Sequence, residues 1–406
     1  MCSSEEKIGQ RPTSPEQLLM ELRSAHAPSL HGRAGCETWS VDFSPDGEWF
    51  AWSMGHGIVW LVAWPLDADK KGRDRPDKTI NCGQTVWGLA FGPRPPSAAS
   101  SKANAATNER LSSLLLATGL DNGVIMIWSV ATGCHLYDLK GHDGIARELV
   151  FPPNGKLTLI SSSRDKTLRI WDLNHKGKKV HVLSGHKDWI SSCCVSPDCS
   201  MIASVGRFDR MVCLWSLRSY TFIRTLSVFF KTFFLLVSCD FSPDGALLAT
   251  AAFGGASWWI DLWDPYTGEK LASLVDDCIH GQNQISALQF SPDGLHLAVV
   301  TDRAVCVWEL GQENMLLNTK GQHATNGLCC RFHPQGGVVA MGTRDGHVRF
   351  WKVPLKVPSL VHLSRSALRL SVSTQQVQAL PIPRRILDFL TYRNIPNVFN
   401  EPTWDS

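Results

Sequence analysis

The sequence predicts an all-β ring of seven repeated units followed by a short α-helical module. Three observations carry that expectation. Tryptophan is far commoner than tyrosine, 16 against 4 in a chain of 406 residues. Seven of these residues, Trp64, Trp128, Trp171, Trp215, Trp263, Trp308 and Trp351, end similar β-rich segments. Past Trp351 the β pattern stops and helical periodicity takes over.

The composition fits this outline. With 44% hydrophobic and 19% charged residues the chain can bury a real core. A net charge of +3 provides no polyanion-binding field, so nucleic acid is not an expected partner. The 13 cysteines include no CxxC pair and no zinc-finger spacing, which points to free thiols in a reducing compartment. The start of the chain lacks the apolar core of a signal peptide. The most apolar run, Leu226 to Val237, is interrupted by Lys231 and is too short to span a bilayer. The expectation is a soluble intracellular chain, in the cytoplasm or nucleus, without a membrane partner.

Taken in order, residues 1–29 read as a partly disordered N-terminal segment and residues 30–354 as the repeats. The tryptophans recur every 43 to 48 residues, except for a first gap of 64. That gap holds a low-complexity Pro/Ala/Ser insert at residues 93–113. A period of ~40–45 residues is one supersecondary unit. Each unit begins with a short apolar strand that enters a turn, such as Phe43-Ser-Pro-Asp-Gly47, Phe241-Ser-Pro-Asp-Gly245 or Phe290-Ser-Pro-Asp-Gly294. Proline fixes φ at the first corner, aspartate bonds its own backbone, and glycine takes the positive-φ exit. A strand of small and branched residues follows, then a polar turn, then an alternating strand ending in tryptophan, as in Leu157 to Trp171. One four-stranded sheet cannot bury both faces, whereas a closed ring covers every sheet with its neighbours. Closure needs a strand from outside the last unit, and the segment near Ser29 to Cys36 is the expected source.

The units resemble WD40 repeats: Trp-Asp stands at Trp171-Asp172 and Trp263-Asp264, and Gly-His at Gly141-His142 and Gly185-His186. The resemblance implies a seven-bladed WD40 β-propeller. It also implies a hydrogen-bonded network within a blade, joining His142, Asp165 and Trp171 through Ser161 or Ser163, with His186 and Trp215 as counterparts. Blade five departs from the pattern. Val228 to Val237 is rich in Phe where Gly-His is expected, and Phe253-Gly-Gly-Ala-Ser-Trp-Trp259 replaces the Asp-containing turn. This stretch is either an exposed partner-binding patch or a sequence irregularity that weakens the blade.

After the repeats, Ser359 can cap a helix whose Leu360, Leu363, Ala367 and Leu368 form one apolar face. Val377 to Pro383 should be extended before its prolines, and Arg384 to Tyr392 returns to helical spacing. A module of ~35 residues cannot bury such faces alone; it needs a partner or the ring.

Residues 357–393 resemble a SOCS box, followed by a tail at 394–406, so the full expectation is a WD40 propeller with a small α-helical SOCS box. The resemblance implies binding of elongin B/elongin C, with Leu360 entering a pocket on elongin C and Leu363, Ser364 and Ala367 beside it. The family prefers Cys where Ser364 stands; a helical Ser can bond back to the carbonyl of Leu360. Leu380-Pro381-Ile382-Pro383 matches the LPxP cullin box, implying cullin-5 with its RING protein. WD40 repeats followed by a SOCS box resemble the WD repeat and SOCS box-containing protein family, further supported by Cys36-Glu-Thr-Trp39, Trp263-Asp-Pro-Tyr-Thr-Gly268 and Asn326-Gly-Leu-Cys-Cys330.

The resemblance implies a substrate-recognition subunit of an elongin-cullin-RING ubiquitin ligase, with no catalytic residue of its own. The sequence has no Gly-rich phosphate loop, HExxH or Gly-x-Ser-x-Gly, and no cofactor or metal is expected. The rival reading is a scaffold that gathers partners without ubiquitin transfer. Counting four residues back from the turn position gives Trp39, Trp87 and Arg147 in three consecutive blades. These residues, with Arg164 at the rim, are either a contiguous surface for an unknown protein substrate or side chains packed between blades.

Overall fold

Seven four-stranded antiparallel sheets make up the repeat region. The computed structural model describes residues 18–23, 36–65, 77–93, 114–175, 177–228, 233–254, 257–275, 284–310, 315–319, 326–355, 358–372 and 374–393. The insert at 93–113, apart from its first residue, and the tail at 394–406 lie outside them. Blade one runs through Val41–Phe43, Trp49–Met54, Ile58–Ala63 and Lys78–Asn81. Blade three runs through Ala146–Val150, Thr158–Ser163, Thr167–Asp172 and Lys178–Ser184. The first strands of neighbouring blades touch all the way round, the seventh against the first, so the ring is closed.

Side chains on these inner strands join one blade to the next. Asp42 Oδ2 accepts the backbone N–H of Phe91 (2.8 Å), Asp240 Oδ2 that of Phe290 (2.9 Å) and Gln289 Oε1 that of Phe332 (2.6 Å). Each bond gives a partner to a backbone amide that would otherwise go without one. Arg331 balances the carboxylates there, its Nε 3.1 Å from Asp42 Oδ1 and its Nη2 3.9 Å from Glu148 Oε1.

Three expectations need correction. The closing strand is Leu18–Leu22, paired antiparallel with Val348–Lys352, and not the segment near Ser29 to Cys36. The N-terminal segment therefore belongs in part to the propeller; of the 29–36 stretch only Cys36 is described, and it is not in a strand. In blade one the strand register puts Val62 opposite Phe50, as Trp128 stands opposite Leu116 in blade two. Trp64 is thus not the blade-closing residue; it packs against Phe43, His333 and Phe350. Finally, Val377 lies in a short helix rather than an extended segment.

Blade five is complete, with Leu235–Phe241, Leu248–Gly254, Ser257–Trp263 and Lys270–Val275 all paired. Residues 229–232 and 255–256 of its irregular segments lie outside the described residues. Trp263 Nε1 still donates to Thr250 Oγ1 (2.9 Å), and aromatic packing is added where the Gly-His pair is missing: Phe234 is buried and meets Trp259 edge-on at 5.6 Å. Gly254 is required there, because a Cβ would come within 2.5 Å of the Phe233 carbonyl oxygen. The described cysteines are free thiols. Burial pushes Cys82 up to about 11 and Cys213 up to about 12, which disfavours the reactive thiolate.

Candidate functional site

The predicted blade network forms in blades three and four. Trp171 Nε1 donates to Ser161 Oγ (2.8 Å), Ser161 lies 2.7 Å from His142 Nε2, and His142 Nδ1 lies 2.6 Å from Asp165 Oδ2. Ser161, not Ser163, is the hydroxyl; Ser163 donates to the carbonyl of Gly144. Burial opposes the charge on Asp165, but the bond to His142 and those from Thr167 hold its carboxyl well below the usual range. In blade four Trp215, Ser204, His186 and Asp209 repeat the chain of bonds at 2.8–2.9 Å. The network fixes the turns at one end of the ring, the end at which each first strand begins.

At that end the side chains Trp39, Trp87, Arg147 and Arg164 come together, and they bridge blades one to three. Trp39 and Trp87 stack with centroids 4.4 Å apart. Arg147 lies over both rings, at 5.3 and 5.4 Å. Arg164 lies over Trp87 at 4.9 Å and over Trp189 at 4.5 Å. The two earlier alternatives merge: the indoles pack across blades, and the half-buried row still faces out. Sequence reasoning missed its continuation into blade four, where Trp189 and Phe208 are each 39% exposed and meet edge-on at 5.6 Å. Arg207 leans over Phe208 at 5.9 Å. Arg207 was legible, since it follows the second strand of blade four as Arg164 follows that of blade three. Trp189 lies two residues before the position counted for Trp39 and Trp87, and so escaped. Beneath the row the inner strands enclose a cavity of about 160 Å³, lined by Glu148, Asp240 and Arg331 among others.

The opposite end carries the C-terminal module: α1 (Leu360–Ser371), α2 (Thr374–Gln378) and α3 (Arg384–Leu390). Ser359 caps α1 by accepting the N–H of His362 (3.1 Å). The residues that dock the module are largely polar. His362 Nε2 donates to the carbonyl of Asp293 in the blade-six turn (2.9 Å). Arg365 lies over the rings of Phe389 and Tyr392, at 4.6 and 3.7 Å. Tyr392 is buried among core residues of blades five and six and donates from Oη to Asp244 Oδ2 (2.7 Å). Arg393 Nη2 pairs with Glu269 (2.5 Å).

The apolar face of α1 points the other way. Leu360 is 81% and Leu363 47% exposed, and Ser364 and Ala367 are exposed beside them. The expected back-bond from Ser364 to Leu360 is not made among the described residues; the hydroxyl faces out. Leu368, expected on the same face, is half-buried. Leu380, Pro381 and Pro383 are exposed and Ile382 half-buried, so this stretch is also accessible.

Comparison with known proteins agrees with this arrangement. The WD domain, G-beta repeat profile matches residues 133–172, 177–216, 273–309 and 315–352, and the SOCS box profile matches 356–391. Over 431 residues the chain is 40% identical to WD repeat and SOCS box-containing protein 1 of Mus musculus, covering 97% of this chain and 100% of that protein. The protein of that name from Homo sapiens is 39% identical over 432 residues, with the same coverage. That from Danio rerio is 40% identical over 455 residues, 97% of this chain and 99% of that protein. The chain belongs to the WD repeat and SOCS box-containing protein family. As a family member it is a substrate-recognition adaptor of the SOCS-box ligase type, and its SOCS box implies binding of elongin B/C. No helix among the described residues is long and apolar enough to cross a membrane.

Proposed function

We propose that this chain holds target proteins for an elongin-cullin-RING ubiquitin ligase. Leu360, Leu363, Ser364 and Ala367 of α1 bind elongin C of the elongin B/C pair. Leu380-Pro381-Ile382-Pro383 engages cullin-5 with its RING protein, and the Trp39, Trp87, Arg147 and Arg164 row holds the target. Tethering raises the effective concentration of a target lysine near the ubiquitin carrier, so this chain needs no catalytic residue for that step. The observation that carries the reading is the outward apolar face of α1. A helix of a monomer turns that face toward its own core; here α1 meets blade six through the polar His362, and Leu360 is left in water.

The test is reconstitution with purified elongin B/C, cullin-5 and its RING protein. Co-purification of the wild type with all four, loss of elongin with Leu360→Ala, and loss of cullin-5 alone with Pro381→Ala are the expected results. Equal elongin recovery by wild type and Leu360→Ala would overturn the adaptor reading and favour a scaffold. Capture of another cullin in preference to cullin-5 would overturn that assignment alone.

A further inference from the structure

Arg147, Arg164 and Arg207 form a cluster of cations with no acid in ion-pair contact among the described residues. Among the described residues none of the three side chains makes an ion pair or a hydrogen bond, and Arg147 Nη1 is buried with no acceptor. The nearby acids are engaged elsewhere: Asp121 accepts from Trp87 Nε1 (2.9 Å), and Glu148 faces Arg331. Burial lowers the proton affinity of all three arginines. Glu148 offsets part of this for Arg147 and Asp121 for Arg164, while repulsion from Arg207 and Arg164 adds to it on Arg147, and from Arg164 on Arg207. Folding has gathered like charges at the mouth of the channel, a cost that an anion would relieve.

The aromatic residues narrow the chemistry of that anion. Arg147 sits beside the stacked Trp39–Trp87 pair, and Arg164 lies over Trp87 and Trp189. A guanidinium whose faces are covered keeps its in-plane N–H edge for recognition, and that edge matches two oxygens in one plane. A planar carboxylate pairs with such an edge without leaving its plane. A tetrahedral phosphate would push oxygens toward indole faces, which carry negative potential. The row also runs on past the cluster to the exposed Trp189 and Phe208, an apolar shelf beside the charges.

We propose that this face reads an Asp or Glu side chain, flanked by apolar residues, in an extended segment of the target protein. Arg164 and Arg147 grip its carboxylate edge-on, Arg207 adds a third positive charge, and Trp189 and Phe208 receive the neighbouring apolar side chain. The proposal rests on the reading of the Trp39 row as the target-binding surface and specifies what that surface selects.

The test is selection of a displayed library of random 12-residue peptides against the full chain bound to elongin B/C. Binding of each recovered peptide is then measured by fluorescence anisotropy. Expected are peptides with Asp or Glu at one fixed position beside an apolar residue. Their affinity should fall about tenfold or more with Arg164→Gln, with Arg147→Gln, or when the peptide acid is replaced by its amide. The variants should keep elongin binding and melting temperature, which separates loss of recognition from loss of fold. Peptides that need Trp39 and Trp87 but show no acidic position would overturn the carboxylate and leave the surface standing. Phosphoserine at the fixed position binding tenfold tighter than Glu would reassign the site to phosphate. If no recovered peptide depends on Trp39 or Trp87, the target-binding surface itself is wrong.

Discussion

The two ends of the propeller expose their partner-binding candidates in opposite ways. At the C-terminal end, α1 gives polar residues such as His362 and Arg365 to docking and Leu360 and Leu363 to water. At the other end, arginines lie against indoles that pack across blades. Among the described residues nothing covers the first surface, so its exposed area is open to another molecule. The second is already internally packed, and what its cations lack among the described residues is a hydrogen-bond acceptor. The difference teaches that exposure alone does not mark a site; what matters is which contact each exposed group still lacks.

The comparison breaks most visibly at Leu360. Leu360→Ala should weaken elongin B/C binding by about 4 kcal/mol, as loss of an interface anchor does. Its melting temperature should not move, because an 81% exposed side chain supports no core. Calorimetric titration and a thermal melt on the same preparation check both halves. A drop in melting temperature would show that α1 is using its apolar face within the chain. His142→Ala predicts the converse. It removes the partner of Asp165 and leaves a nearly buried carboxylate and the Ser161–Trp171 pair short of a bond. The cost is about 3 kcal/mol of stability, read from the denaturant midpoint, while elongin binding is retained.

The channel between the two ends gives an intermediate effect with a definite pH sign. Asp240 faces the same cavity as Glu148 and Arg331 and accepts the N–H of Phe290. Burial pushes its carboxyl up to about 6, outweighing that bond and the attraction of Arg331. The folded state therefore holds this proton more tightly than the unfolded state. The associated stability is fully present below the unfolded value near 3.8 and is lost as pH rises through about 6. Asp240→Asn removes the loss. Relative to wild type the variant should gain about 3 kcal/mol of stability between pH 3.5 and pH 7.5, a difference read from urea midpoints at the two pH values. A constant offset would place the Asp240 titration outside the folded channel.

Much of this is legible in the sequence. The tryptophan spacing and the Ser-Pro-Asp-Gly turns specify the blades because each signal is local to its repeat. Gly141-His142 announced its network for the same reason. Closure was not legible: Leu18–Leu22 pairs with residues more than three hundred positions away, and five residues of mixed polarity carry no mark of that partner. Trp64 misled because spacing cannot separate it from Val62 when an insert of uncertain length follows; only the strand register does. The outward faces of Leu360 and Leu363 were legible as apolar periodicity, but which way they point depends on Tyr392 and Asp244, 148 positions apart.

That last contact gives the smallest predicted effect and the sharpest probe of how the ends are related. Tyr392 Oη donates to Asp244 Oδ2 from a buried site, and the same carboxylate oxygen pair orders the blade-five turn, where Oδ1 takes the Ser242 hydroxyl and the N–H of Ala246. Arg365 covers the Tyr392 ring from α1. Tyr392→Phe deletes one hydroxyl while keeping the ring and its packing. The loss should be about 1–2 kcal/mol of docking free energy, seen as faster amide exchange in α3 and in the α1 backbone near Arg365. Elongin affinity should be unchanged, since the apolar face is untouched. If exchange quickens and ubiquitin transfer to a bound target falls while both partners still bind, the polar docking of the module sets the distance between its two occupants. If exchange quickens without any fall in transfer, the module serves only as a tether, and the orientation of α1 on blades five and six carries no part of the function.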